Sequence, residues 1–225
     1  MCFAVAKFEV CQVSVVSNRL ADRLRRQWHV RGHIMFEHLY DERKAADAAM
    51  YLLVRARAPV NGAKLNRLLY LAERESFARY GEPLTGDQLL VFEKSPVLYG
   101  TYQRLAGDVP GWEDRIENLA NHELRVRVPI FAEEPEAYFD HSTQLSDADI
   151  AVLDAVWDEF GGMTHWALAD YIHSKCREWT DGRGVPSEVT YERLFKALGY
   201  DQVAIKELLA RLEEADHIRA AFSHA

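Results

Sequence analysis

The sequence lacks the features that mark several large classes of protein. Its three cysteines, Cys2, Cys11 and Cys176, are an odd number without a CxxC pair, so neither a disulfide framework nor a zinc knuckle is indicated. No apolar run approaches the roughly 20 residues that a membrane-spanning helix needs. The N-terminal stretch does not follow the pattern of a signal peptide. We therefore expect a cytoplasmic protein without membrane insertion.

Motifs that mark catalytic or cofactor sites are also missing. The chain contains no P-loop, no GxGxxG and no nucleophile elbow. His29 and His33 have i, i+4 spacing, but no acidic residue follows in the HExxH manner. No motif places a base beside Cys176, so a structural thiol is favoured over a nucleophile. The expectation is a protein that is not an enzyme and has no catalytic residue, no metal and no cofactor.

Acidic residues outnumber basic residues beyond the N-terminal segment. The chain of 225 residues has a net charge of −8, which argues against wrapping a phosphate backbone as its main function. Residues 1–34 nevertheless carry six Lys and Arg against two acidic residues, so the remainder is more acidic than the whole. An acidic body of this kind suits a protein partner better than nucleic acid.

Helix signals dominate what the sequence does contain. Asp41 is a predicted N-cap of a helix that ends before Pro59, and Asn61 is a predicted N-cap of a helix that ends at Gly81. The second helix has the strongest apolar stripe, which consists of Leu65, Leu68, Leu69, Ala72 and Ser76.

The C-terminal half also contains residues that are typical of helix starts and helix ends. Asp149 follows Ser146 by three positions, the spacing of a capping box, and Gly161 and Gly199 are predicted helix ends. The predicted starts of its four helices are Ser146, Thr164, Ser187 and Asp201. The buried stripe expected in the first of them consists of Ile150, Leu153, Trp157 and Phe160.

Two stretches are typical of strands. Residues 88–92 (QLLVF) have strand length, and residues 123–131 (ELRVRVPIF) alternate apolar with polar side chains. Pro129 is expected to place the second strand at a sheet edge. Pro96 is expected to end the first extended run and to begin a helix. The sum is a mainly α (α+β) fold, a compact helical domain of about seven helices with a small β element.

Three stretches resemble a known family when taken together. They are residues 64–75 (KLNRLLYLAERE), 91–102 (VFEKSPVLYGTY) and 178–195 (EWTDGRGVPSEVTYERLF). They are similar to the Panacea domain of phage-associated, SocA-like antitoxins. The positions that match the family pattern are Lys64, Leu65, Leu68, Leu69, Tyr70, Phe92, Pro96, Val97, Tyr102 and Trp179. Ser95 stands where the family usually has glycine.

The resemblance also predicts how the chain is divided. Residues 35–200 are expected to form the Panacea domain, and residues 201–225 are expected to form a helix that packs on it. Residues 1–34 lie outside the family pattern, so we expect a basic extension that is poorly ordered or not native. If residues 1–34 are not native, Met35 is the hypothesised start of the chain.

The function implied by the resemblance is that of an antitoxin without catalytic activity. Such a protein binds and neutralises the toxin encoded by an adjacent gene, and the chain itself could form a homodimer. Aromatic side chains are common interface hot spots, and those expected to be exposed anchors for the toxin are Tyr99, Trp112, Tyr138 and Phe139.

Two further function classes remain open at this point. The helix–turn–helix outline of residues 150–175 would suit a DNA-binding transcriptional regulator. Lys175 is, however, the one fixed positive charge on its second helix, so nucleic acid is a disfavoured partner. A proteolytic adaptor that delivers the toxin to a protease is the third class.

Overall fold

The computed structural model of the protein describes residues 36–92, 95–127, 144–179 and 187–223. Its seven described helices are α1 (Glu42–Ala56), α2 (Gly62–Tyr80), α3 (Tyr99–Leu105), α4 (Asp147–Phe160), α5 (His165–Lys175), α6 (Tyr191–Leu198) and α7 (Gln202–Ser223). The described strands are β1 (Val60–Asn61), β2 (Leu89–Phe92), β3 (Ser95–Leu98), β4 (Ile116–Asn118), β5 (Glu123–Val126) and β6 (Ser187–Glu188). The predicted mainly α fold with a small β part is confirmed.

The N-terminal helices begin and end where their caps predict. The Asp41 carboxylate accepts a hydrogen bond from the Lys44 backbone N–H at 3.0 Å, which starts α1. The Asn61 side chain accepts from the backbone N–H of Ala63 in the same way and starts α2. Gly81 ends α2 in the left-handed conformation, with φ 68°. These local signals therefore decide the boundaries of both helices.

Helix α4 begins as predicted but differs at its end and in its buried face. Ser146 and Asp149 form the complete capping box. Gly161 ends the helix in the right-handed conformation, with φ −58°, and a Cβ there would lie 2.6 Å from the Trp157 carbonyl oxygen. Glycine is required for space here and not for a positive φ. The buried residues of α4 are Asp149, Val152, Leu153, Val156 and Phe160, so Ile150 and Trp157 of the predicted stripe are only half-buried.

Helix α2 is largely buried between Leu65 and Phe77. Its predicted apolar stripe is buried, and so are side chains on its other faces, including Asn66, Tyr70 and Glu73. Helices α1, α4, α5 and α6 and strand β3 all pack against it. Because several elements pack around α2, its buried polar side chains cannot reach bulk water and need partners within the protein.

The segment around Pro96 is a β-hairpin and not a strand followed directly by a helix. Strand β3 pairs antiparallel with β2 and places Pro96 opposite Val91. The prediction that Pro96 begins a helix is therefore wrong, and α3 starts three residues later at Tyr99. Strand β3 lies at the edge of its sheet, where a proline that cannot donate a ladder hydrogen bond is tolerated.

The edge of β3 is held by a side chain of α2. The Asn66 amide nitrogen donates to the Leu98 carbonyl oxygen at 3.1 Å, and its amide oxygen accepts from the Leu98 N–H at 3.2 Å. These two bonds satisfy backbone groups that an edge strand would otherwise leave unpaired. Asn66 thereby fixes the hairpin against α2.

The strands form two small antiparallel sheets. One has the order β3-β2-β6 and the other has the order β1-β5-β4. Residues 187–188 were expected at the start of a helix, but they pair with β2, and Thr190 caps α6 three residues later. Strand β5 was expected at a sheet edge, but it lies in the centre over its described length. Pro129, on which that expectation depended, lies outside the described residues.

Helix α7 begins at its predicted cap and buries one of its faces. The Asp201 side chain accepts from the Ala204 N–H at 2.8 Å and starts the helix. Its buried positions include Ile205, Leu208 and Leu212. A Cβ on Gly81 would lie 2.6 Å from a methyl carbon of Leu208, so the end of α2 and the side of α7 are in close contact.

We predict that Asn66→Ala lowers the free energy of unfolding by on the order of 2–4 kcal/mol. The change removes two hydrogen bonds and leaves the buried N–H and C=O of Leu98 without their partner. Urea denaturation followed by circular dichroism measures the difference. Asn118→Ala, at an exposed strand position, is the control and is expected to cost less than about 0.5 kcal/mol. Equal unfolding midpoints for the two variants would contradict the role of Asn66.

Candidate functional site

The first and third family-like stretches meet in a buried polar cluster. The Tyr70 hydroxyl on α2 donates to the Glu178 carboxylate, and Arg74 Nε donates to the same carboxylate at 2.9 Å. The Glu178 side chain is fully buried, and Arg74 is largely buried. Burial, with the adjacent Glu178 carboxylate, raises the pKa of Tyr70 well above its usual value. Through these hydrogen bonds the cluster holds the segment that follows α5 against α2.

Lys64 joins α2 to the end of α4. Its ammonium group donates to the Gly161 carbonyl oxygen at 2.6 Å and lies 6.0 Å from the centre of the Trp157 ring. A cation at this place also interacts favourably with the negative end of the α4 dipole. Partial burial lowers the pKa of Lys64. The lysine of the motif thus caps a neighbouring helix.

The apolar motif positions lie mostly in the core. Leu65, Leu68 and Leu69 are buried in α2, and Val97 and Pro96 are buried in β3. Trp179 is buried and packs edge-on against the His173 ring, with 4.5 Å between centroids. Tyr102 is half-buried on α3, and nothing is described for the Phe92 side chain, although its backbone belongs to β2. The described motif residues therefore build the scaffold.

Cys176 lies beside this polar cluster and is buried. Burial raises the pKa of the Cys176 thiol to about 12, and the neighbouring Glu178 carboxylate adds to the effect. A thiol with such a pKa carries almost no thiolate at neutral pH, and thiolate is the reactive form. The arrangement suits a structural residue and not a nucleophile.

Buried carboxyl groups hold the connection between α2 and β2. Glu73 accepts hydrogen bonds from the backbone N–H of Thr85 at 2.8 Å and of Gly86 at 3.0 Å. Asp87 accepts from the N–H groups of Gly100 at 2.8 Å and Thr101 at 2.7 Å and so caps α3. Burial raises the pKa of Glu73 to about 7 and also raises the pKa of Asp87. The two carboxyl groups therefore hold neighbouring backbone segments in place through hydrogen bonds.

Glu188 on β6 is a further carboxyl group in this region. Burial raises its pKa to about 7. It also adds to the electrostatic environment that, together with burial, raises the pKa of Tyr191. No group of three or more His, Cys, Asp or Glu side chains among the described residues has the arrangement to hold a metal ion.

Two of the four predicted anchor residues are not at the surface. Tyr99 at the start of α3 is 8% exposed, and Trp112 is 4% exposed, so the expectation that they are exposed is wrong. Tyr99 belongs to the short helix that the hairpin directs against α2, and such burial depends on tertiary packing. Tyr138 and Phe139 lie outside the described residues.

Trp112 lines a cleft of about 770 Å³ between the start of α1 and the end of α7. Several charged side chains at this cleft are engaged within the protein. Glu42 pairs with Arg104, and Arg115 pairs with Asp47 at 2.8 Å. Since these charges already have partners, they offer little to an incoming charged ligand.

The exposed large apolar side chains provide a different set of candidates. Those in the described residues are Tyr80, Trp166, Val203, Ile218 and Phe222. Trp166 on α5 is 71% exposed, although tryptophan is a large apolar side chain that is usually well buried. Trp166 is not among the anchor residues expected from the sequence. The signal was available, because Leu168 and Ile172 define the buried face of α5 and Trp166 does not share their spacing.

Helices α4 and α5 have the helix–turn–helix outline that the sequence indicates. Residues 147–175 contain six acidic residues against one lysine. The exposed side of α5 carries Trp166 and Asp170, while Leu168 and Ile172 face the core. DNA affinity depends mainly on phosphate neutralisation, so an acidic hairpin of this kind opposes binding to nucleic acid. None of the described helices is both long and apolar enough to cross a lipid bilayer.

Comparison with known protein families gives a match for the chain. Residues 65–180, more than half of the chain, match the family described as Antitoxin SocA-like, Panacea domain. The matched range contains the β2–β3 hairpin, the acidic α4–α5 hairpin and the polar cluster around Glu178. No curated protein and no solved structure matches the chain.

We predict that Glu178→Ala lowers the free energy of unfolding by roughly 3–5 kcal/mol, because it leaves the largely buried Arg74 without its carboxylate. The double variant Arg74→Met/Glu178→Met should recover much of this loss, since it removes both charges and retains apolar volume. Glu75→Ala on the same helix breaks a more exposed pair with Arg79 and should cost less than about 1 kcal/mol. Chemical denaturation of the parent and the three variants measures these differences. Equal losses of stability in E178A and E75A would contradict the stabilising role of the cluster.

We predict that stability falls as pH rises from about 5 to 8. Glu188 has a usual pKa of 4.5 and a folded value of about 7, so in this range the folded chain binds more protons than the unfolded chain. The contribution is complete below pH 4.5 and is lost as pH rises through 7. Glu188→Gln should flatten this fall and be more stable than the parent at pH 8 by on the order of 1–2 kcal/mol. Glu213→Gln, at an exposed position of α7, is the control. Parallel curves of stability against pH for the parent and both variants would refute the prediction.

Proposed function

Because the chain belongs to the SocA-like antitoxin family through its Panacea domain, we propose that it neutralises a toxin protein encoded by an adjacent gene. Neutralisation occurs in the cytoplasm by direct binding and requires no catalysis. The family match carries this proposal. It names the class of function and implies a toxin partner in general.

The nature of the motif residues supports a binding role. Lys64 and Tyr70 form hydrogen bonds within the scaffold, Trp179 packs in it, and none of the three lines an open reaction centre. The buried Cys176 thiol is unsuited to nucleophilic attack because burial raises its pKa to about 12. A protein whose family-like residues maintain its fold acts through its surface, and occlusion of a partner requires no more than a surface.

The acidic charge of the chain supports a protein partner over an operator sequence. A net charge of −8 and an acidic α4–α5 hairpin would repel DNA, whereas they would attract a basic protein and accelerate encounter with it. The helix–turn–helix outline is accordingly assigned to packing, with α4 and α5 both in contact with α2.

The experiment is co-expression of the full chain with each neighbouring reading frame. We expect one neighbouring product to arrest growth when expressed alone and to lose its toxicity when this chain is present. The two proteins should copurify, and light scattering of the complex then reports whether one or two copies of this chain take part. Glu178→Ala, which is expected to unfold readily, should lose rescue and serves as the negative control. Absence of toxicity and of copurification for every neighbour would refute the proposal.

A further inference from the structure

Trp166 is an exposed aromatic side chain at the first turn of α5. It is 71% exposed, and Asp170 lies one turn further along the same helix face. Phe160, Leu168 and Ile172 form the buried side of the α4–α5 hairpin. Trp166 therefore contributes little to the core that the described residues form, and binding of another molecule could bury its indole. We call Trp166 and Asp170 the Trp166 surface.

The indole of Trp166 is oriented by its neighbours. The His165 ring packs against it, with 4.4 Å between ring centroids. The His165 carbonyl oxygen accepts a hydrogen bond of 3.4 Å from Arg67 of α2, and the Thr164 side chain caps α5 through the Ala167 N–H at 3.2 Å. These bonds tie the start of α5 to the central helix, so the backbone that carries Trp166 loses little conformational freedom on binding.

The charges near the Trp166 surface belong to acidic side chains of the α4–α5 hairpin and to Arg67 of α2, which is bound to the His165 carbonyl oxygen. Half of the six acids in residues 147–175 are engaged with α1, where Lys44 pairs with Asp149 and Arg55 pairs with Asp154 and Asp158. The acids of the hairpin that form no ion pair with any described residue are Asp147, Glu159 and Asp170. Asp170 lies beside the exposed indole. A positively charged group at this place would have both an aromatic face and a carboxylate as partners.

We infer that the Trp166 surface binds a basic segment of the toxin, with an arginine or lysine placed against the Trp166 indole and paired with Asp170. The inference rests on the proposed function and names the chemistry of the partner. A guanidinium can stack on tryptophan and bond to a carboxylate at the same time. The acidic charge disfavours phosphate-bearing nucleic acid, and it disfavours a second copy of this chain, because two acidic hairpins repel each other.

The test uses the full chain and the protein product of each neighbouring reading frame as the probe. Trp166→Ala and Asp170→Lys are each expected to weaken binding by at least about tenfold and to reduce rescue of growth. Binding of the unchanged chain should weaken as NaCl rises from about 50 to 500 mM, and Asp170→Lys should reduce this dependence. Thermal unfolding of each variant checks that folding is retained, as the exposure of both side chains predicts.

The controls are matched substitutions on α7. Phe222→Ala removes another aromatic side chain, which is 78% exposed, and Glu213→Lys reverses another exposed charge. Both are expected to bind the probe as the unchanged chain does. Hydrogen–deuterium exchange should show protection of residues 158–174 in the complex.

The possible failures are distinguishable. If the unchanged chain binds and rescues, and Trp166→Ala and Asp170→Lys do so equally well, the inferred surface is wrong while the antitoxin function stands. Protection confined to the cleft near Trp112 and Phe222 would overturn the inference in the same way. If the unchanged chain binds no neighbouring product, the proposed function and the inference both fail.

Discussion

The burial of α2 is the constraint on which the rest of the structure depends. The helix is buried at most positions from Leu65 to Phe77, so its buried and half-buried polar side chains depend on partners, most of which lie on other elements. These partners are Gly161 for Lys64, Leu98 for Asn66, Glu178 for Tyr70 and Arg74, and the Thr85–Gly86 backbone for Glu73. The requirement explains why residues far apart in the sequence belong to one family pattern.

This organisation separates the scaffold from the surface. Substitution of Asn66 or Glu178 affects hydrogen bonds that hold whole segments, whereas Trp166 and Asp170 are exposed and can change with little cost to the fold. A domain built in this way can present different side chains while its internal contacts stay the same. That property suits a protein whose function is to bind one particular partner.

Much of the helical framework could be predicted because its signals are local. Asp41, Asn61 and Ser146 cap helices through side chains that act within three residues. The errors concern features that depend on distant residues. Pro96 occurs in a strand because β2 and α2 supply its neighbours, and Ser187 occurs in a strand because it pairs with Val91 across the chain. No periodicity within a short segment contains that information.

Less of the candidate site than of the fold could be predicted from the sequence. The sequence by itself determined the boundaries of α1 and α2, the apolar stripe of α2, the acidic charge and the family-like motif, because these depend on residue types and short spacings. Only the tertiary structure decided that Tyr99 and Trp112 are buried and that Trp166 is exposed. An aromatic side chain is suited both to a core and to an interface, and the neighbouring elements that cover it determine which of the two it serves.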